Sequence, residues 1–197
     1  MHYSEITGFR PWQPSTWPTA NDEGINFFEC IERILNETIL GEIGNVISDS
    51  NAQNGSLGGR GHVVALSLFC AIDTISSYAF ENTISEQCPT CLRGDRVGPR
   101  YIKYISEFFP DDYKTHAEVL YGSYRNSLVH SWNLFKVAIW PKNEPIRIDN
   151  GILNLGLISF YEALNYSIEN FLIRLKSDPE IYHAAMRRYE TLRQTAK

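Results

Sequence analysis

Arg125, Asn126 and His130 stand close together in the run Arg125-Asn126-Ser127-Leu128-Val129-His130. An arginine presents several fixed N–H donors to phosphate oxygens and stays charged. An imidazole, with an ordinary pKa of about 6.5, exchanges protons at cellular pH. Asn126 could hold a phosphate or fix the tautomer of His130. The competing reading is structural, because cations near a helix end bond to its last carbonyls and are favoured there by the helix dipole.

Other side chains invite the same question. Arg93, Arg96, Arg100 and Lys103, opposed only by Asp95, form the densest basic stretch of the chain. They read either as a solvated helix face or as a strip that tracks phosphates and binds a substrate. Cys88-Pro-Thr-Cys91 is half of a structural zinc site, which needs four ligands, and no second such pair occurs. A redox reading would want a thioredoxin-like strand–helix context, which is missing. Plain turn cysteines are the simpler reading, and neither a metal nor another cofactor is expected. Asp73 interrupts an apolar run, and a carboxylate there needs a partner. A hydroxyl or backbone amide at the rim would satisfy it, as would a functional contact.

The elements that must position these residues are mostly helical. Asn21-Asp22 can cap a helix carrying Phe28, Ile31, Leu35, Ile39, Ile43 and Val46, with Gly41 and Gly44 weakening its second half. Residues 48–61 read as a glycine-rich loop without the lysine of a phosphate-binding loop. From His62 to about Glu81 the pattern is apolar nearly all round, the mark of a central, buried helix. Cys30 and Cys70 lie in such apolar patterns, where free cysteine acts as a small hydrophobe. Residues 97–109 form a short helix with Val97, Tyr101, Tyr104, Ile105 and Phe108 on one side, ending at Pro110.

A further helix is expected from Asp111 or Asp112 to about His130. With Tyr124 at zero on a helical wheel, Tyr113, Ala117, Leu120, Tyr121 and Leu128 cluster around it as a core stripe. Arg125 then falls at about 100°, Asn126 at about 200° and His130 at about 240°, all off that stripe. Their face also carries Val119, Gly122 and Val129, so it reads as covered by another element or another subunit. Branched and aromatic residues at Leu134–Trp140 and Ile146–Leu155, around Pro141-Lys142-Asn143-Glu144-Pro145, give a hairpin signal at about 134–155. Leu157, Phe160, Tyr161, Leu164, Ile168, Phe171, Leu172 and Leu175 mark the cleanest amphipathic helix. Ser177-Asp178-Pro179 starts a last, more polar one.

The Arg125-Asn126…His130 motif, late in a helix and followed by a long amphipathic helix, resembles the R-x4–6-H signature of the HEPN superfamily. That resemblance covers the architecture of roughly residues 23–176, and the motif itself is six residues long. It implies a HEPN-like helical bundle, here with an added β-hairpin and an extended N-terminal arm. It also implies a metal-independent endoribonuclease of toxin–antitoxin, phage-defence or stress systems, with Arg125, Asn126 and His130 catalytic at a homodimer cleft. Arg93, Arg96, Arg100 and Lys103 would then bind the RNA, and an antitoxin or other protein is a possible partner. The hairpin and the arm depart from a minimal HEPN bundle and leave the subfamily open. The alternative is a non-catalytic HEPN-like module that binds a partner protein or a nucleotide. A third reading, a nucleic-acid binder using the basic strip, remains beside them.

The totals bound these readings. A chain of 197 residues with 43% hydrophobic and 13% aromatic residues can bury a real core in one domain, residues 22–197. Residues 1–21, with Pro11, Pro14 and Pro18 beside Phe9, Trp12 and Trp17, read as an extended arm that packs on the body or binds a partner. The net charge of −5 argues against a protein coated in basic residues, though not against a local basic groove. The apolar run Val63–Ile72 is closed by Asp73, too short to span a bilayer. A cytoplasmic protein without membrane contact is the expectation.

Overall fold

In the computed structural model, which describes residues 27–54, 60–80, 97–126, 128, 137–140 and 143–195, helices carry most of the described chain and a three-stranded sheet completes it. The first helical stretch runs through α1 (Phe27–Arg33), a π-helical segment (Ile34–Leu40) and α2 (Gly41–Asn54) without a break. The first part of the loop expected over residues 48–61, residues 48–54, is therefore helical. Once a helix is nucleated each added residue is cheap, and the polar run from Ser48 to Asn54 continues α2. Gly44 stays in place for a packing reason. A Cβ there would lie 2.7 Å from Tyr161 Oη, which donates to the Leu40 carbonyl at 3.1 Å.

Helix α3 (Gly61–Ala79) is central. By length and composition it is the one helix among the described residues that could cross a membrane, yet 61% of its apolar window is buried inside the fold. The helix thus continues past Ser67 and Asp73, each of which has a partner within the protein for one side-chain oxygen. Ser67 Oγ donates to the Val63 carbonyl at 2.9 Å, and Asp73 takes an ion pair described below. One stripe of α3 is nevertheless open: Val63 and Cys70 are exposed, so Cys70 is not the core hydrophobe its apolar context suggests.

Helix α4 (Gly98–Phe108) lies where expected, with Tyr101, Tyr104, Ile105 and Phe108 buried. The single helix expected over 111–130 is instead broken. It comprises α5 (Asp111–Lys114), α6 (Ala117–Val119) and a π-helical stretch (Leu120–Arg125). A turn at Thr115-His116 separates the first two. Tyr113, Ala117, Leu120, Tyr124 and Leu128 are buried, so the core stripe survives the breaks, whereas Tyr121 is only partly buried.

The sheet has the order β1-β3-β2, with β1 (Val137–Trp140) parallel to β3 (Ile152–Gly156) and β2 (Arg147–Asp149) antiparallel to it. The strand content matches the hairpin signal, but the pairing differs. The tight turn is Asn150-Gly151, at φ 50° and 76°, not residues 141–145. Asn-Gly suits the left-handed turn that joins twisted strands locally. Pro145, which lacks an N–H, stays outside the strands. Tyr124 Oη fastens the π-helical stretch to this sheet, donating to the carbonyls of Leu153 at 2.7 Å and Ala138 at 3.1 Å.

Helix α7 (Leu157–Ser177) buries nine residues, among them Phe160, Leu164, Ile168 and Phe171. Helix α8 (Pro179–Thr195) starts with Asp178 Oδ1 accepting from the Glu180 amide at 3.0 Å, the cap that the Ser-Asp-Pro sequence promises. Aromatic rings bind the layers together at Phe69–Phe160 (5.2 Å between centroids), Phe69–Tyr124 (5.8 Å) and Phe108–Phe171 (5.9 Å). The N-terminal arm with Trp12 and Trp17, together with Cys88, Cys91, Arg93, Arg96, Val129 and His130, lies outside the described residues.

Candidate functional site

Asp73 and Ser77 occupy successive turns on one side of α3, and each holds an arginine from elsewhere in the chain. Arg125, the last residue of the π-helical stretch, donates to Asp73 Oδ2 through both Nε (2.9 Å) and Nη2 (2.6 Å). Its third group, Nη1, donates to Asn126 Oδ1 at 2.9 Å. Arg188, on α8, donates through Nε to Ser77 Oγ at 3.1 Å. Arg100, on α4, completes the set: it is half-buried and feels the charges of Asp73, Arg125 and Arg188.

The electrostatics follow from this geometry. Burial works against the charge on Arg125, but the hydrogen bonds and charge of Asp73 outweigh it, so its pKa stands above the ordinary value. Arg100 moves the other way. Burial, joined by repulsion from Arg188 and Arg125, lowers its pKa against the opposing pull of Asp73. The guanidinium groups of Arg125 and Arg100 thus share one carboxylate, and Arg188 adds a third positive charge close enough to Arg100 to repel it. Such an excess of fixed positive charge in a partly desolvated place favours an incoming anion.

Two polar atoms at this place lack protein partners. Asp73 Oδ1 and the Tyr101 hydroxyl are buried, and neither has a hydrogen-bond partner among the described residues. Burial and the nearby Asp73 charge push the Tyr101 phenol well up, so it stays a proton donor at any ordinary pH. Cys70 is exposed beside them, but crowding and Asp73 raise its pKa too. A protonated thiol is a poor nucleophile. Among the described residues no three His, Cys, Asp or Glu side chains gather as metal ligands.

The candidates named from sequence fare differently. Arg125 and Asn126 come together, and Arg125 turns toward Asp73 on α3 of its own chain, keeping only 15% side-chain exposure. Of the face thought to be covered by another element, Val119 and Gly122 are exposed, and a Cβ on Gly122 would meet nothing within 4 Å. The basic strip divides as well. Arg100 faces inward, whereas Lys103 is exposed, with Nζ 4.2 Å from the centroid of the Phe80 ring.

Arg188, Ser77 and Tyr101 were missed as site residues. Arg188 lies on the last, more polar helix, but nothing local in the sequence says which helix it reaches. No family model, curated protein or solved structure matches this chain. The residues themselves are what a functional reading can use.

Proposed function

We propose that the chain is a metal-independent endoribonuclease of HEPN type, acting in the cytoplasm in defence or stress, with its site at a homodimer cleft. Arg125, Asn126 and His130 are its catalytic residues in this reading. Arg93, Arg96, Arg100 and Lys103 bind the RNA. The observation that carries it is the fixing of Arg125 by Asp73 and Asn126 beside Arg100. An arginine has five N–H donors, and the three engaged here leave two for an anion, already oriented. Donors that need no reorganisation are what stabilises charge developing on a phosphorane. In the reaction, the imidazole of His130 takes the proton of the ribose 2′-OH or gives one to the leaving oxygen. Arg125 holds the non-bridging phosphate oxygens, and a 2′,3′-cyclic phosphate results.

The test is cleavage of labelled single-stranded RNA in chelator by the purified full-length chain. The wild type is expected to cleave it and to arrest growth when expressed. Arg125→Ala and His130→Ala should each lower the rate at least 100-fold, the loss of about 2.7 kcal/mol or more that follows removal of one such donor. A folded wild type that leaves RNA intact, or variants as active as it is, would end this reading.

The same ion pair supports a second reading. Arg125 gives most of its donors to its own chain, as a purely structural lock does. The chain would then be a non-catalytic HEPN-like module that binds a partner protein, such as an antitoxin, or a nucleotide. Loss of partner capture on changing Trp12 and Trp17, with Arg125→Ala neutral, would decide for it.

A further inference from the structure

Arg188 forms no ion pair with any described residue. It is partly buried, and its one hydrogen bond runs from Nε to the neutral Ser77 hydroxyl at 3.1 Å. That hydroxyl in turn donates to the Thr74 carbonyl at 2.7 Å, so it is held as an acceptor for the arginine. The nearby Tyr78 phenol is no counterion. Burial pushes its pKa up to about 12 against the pull of the Arg188 charge, so it is neutral at ordinary pH. An arginine has five N–H donors, and those on Nη1 and Nη2 of Arg188 have no partner among the described residues. Neither nitrogen is sealed in the interior. A partly desolvated cation with no carboxylate beside it gains most from an anion that joins it.

The anchor of Arg188 stands next to that of Arg125. Asp73 and Ser77 are four residues apart on α3, hence on one face and about 6 Å apart along the axis. They hold Arg125 of the π-helical stretch and Arg188 of α8 on successive turns. Arg100 of α4 lies close enough to both to be repelled by both. Neighbouring phosphates of an extended nucleic-acid strand are one nucleotide apart, a spacing of the same order. We infer that Arg188 is a second phosphate-binding residue of the candidate site, taking the phosphodiester next to the one on Arg125 in a single strand of RNA. Ser77 is its positioning residue: it touches no phosphate, but by holding Nε it leaves both Nη groups as a fork for the anion. This deepens the nuclease reading and rests on it for the identity of the strand. The phosphate on Arg188 is not the reacting one. Its grip is therefore the same in the bound strand and in the transition state, and it acts mainly on KM.

The test is fluorescence anisotropy of the full-length protein with a labelled, uncleavable 2′-O-methyl RNA strand, displaced by two short competitors. One is a 2′-O-methyl trinucleoside diphosphate; the other is the same compound with one phosphodiester made a neutral methylphosphonate. The wild type should prefer the first about tenfold, the worth of one hydrogen-bonded charge contact. Arg188→Gln should no longer distinguish them, and its salt slope for the labelled strand should fall by about 0.7. Arg188→Lys keeps the charge without the fork and should retain roughly threefold preference, which a merely misfolded variant would not do. In cleavage, Arg188→Gln should lower kcat/KM about tenfold, mostly through KM. A wild type that binds no strand, or a preference that is absent from the wild type or survives in Arg188→Gln, overturns the inference. So does adenosine 5′-monophosphate competing as well as the diphosphate compound, which would assign the arginines to a free nucleotide. If the preference behaves as expected but the wild type never cleaves RNA, Arg188 stands as a phosphate-binding residue and the nuclease reading falls. If cleavage is real and Arg188→Gln keeps the preference, the inference falls alone.

Discussion

Arg125 and Asp73 meet with most of both side chains out of water, at 15% and 18% exposure. Pairs of this kind return little net stability compared with apolar packing, but breaking one strands a charge in a poor solvent. Asp73→Ala should therefore cost about 2–3 kcal/mol by urea unfolding, somewhat less than for a fully buried pair. Repulsion among Arg125, Arg100 and Arg188, no longer offset by the carboxylate, adds to that loss. Replacing both partners, Asp73→Leu with Arg125→Met, should recover at least half of it, because no stranded charge remains at that spot. If Asp73→Ala unfolds like the wild type, the pair does not hold α3 to the π-helical stretch. The double variant also separates the two functions of Arg125. Restored stability without restored RNA cleavage means that the guanidinium acts on something other than its own fold.

Gly44 and Asp178 decide matters for whole elements. Gly44 sits in the middle of a helix, where alanine is ordinarily better by about 1 kcal/mol. Here the tip of Tyr161 fills the space a Cβ would need. Gly44→Ala should gain nothing, or lose stability, in the wild type. In a Tyr161→Phe background, where only the ring remains at 3.4 Å, the same change should stabilise by about 1 kcal/mol. A sign that does not change between the two backgrounds would show that Tyr161 is not the cause. Asp178 caps α8 and is held by Arg174, whose hydrogen bond keeps the carboxyl below its ordinary range. A carboxyl depressed in the folded state contributes stability above its ordinary pKa of 3.8 and loses it as pH falls below that value. Asp178→Ala should thus lower the melting midpoint by a few degrees at pH 6, with a gap that closes toward pH 2; a gap constant with pH would remove the charged-cap account. These elements also mark what the sequence makes legible. Periodicity places α3, α4, α7 and α8, because each has a strong apolar stripe or a cap. It does not reveal the π-helical stretch at Leu120–Arg125, since the spacing of apolar residues does not distinguish i→i+5 from i→i+4 bonding over so short a run. Hence Asp73 could be marked as needing a partner and Arg125 as special, with nothing to say that they need each other. The Asn150-Gly151 turn was legible by its residue types, but the proline-bounded loop before it gave a competing signal.

One core joins every helix from α1 to α8 with the sheet, and one surface beside the candidate site stays outside it among the described residues. On that side Val119 and Gly122 are exposed next to Arg125 and Asn126, which follow Gly122 by one helical turn. A homodimer cleft, if the nuclease reading holds, must use this surface, because it adjoins the guanidinium without blocking it. The protomer has open space at residue 122: an added Cβ would meet nothing within 4 Å among the described residues. Gly122→Trp should accordingly leave helix content and melting close to the wild type, or slightly better, since glycine is a weak helix former. It should convert a dimer into a monomer by light scattering and abolish RNA cleavage, because an indole would stand where the second copy approaches. A variant that remains dimeric and active places the subunit contact elsewhere. A wild type that cleaves RNA as a monomer shows that one chain supplies the whole site, and the Asp73–Arg125 cluster must then suffice without a partner.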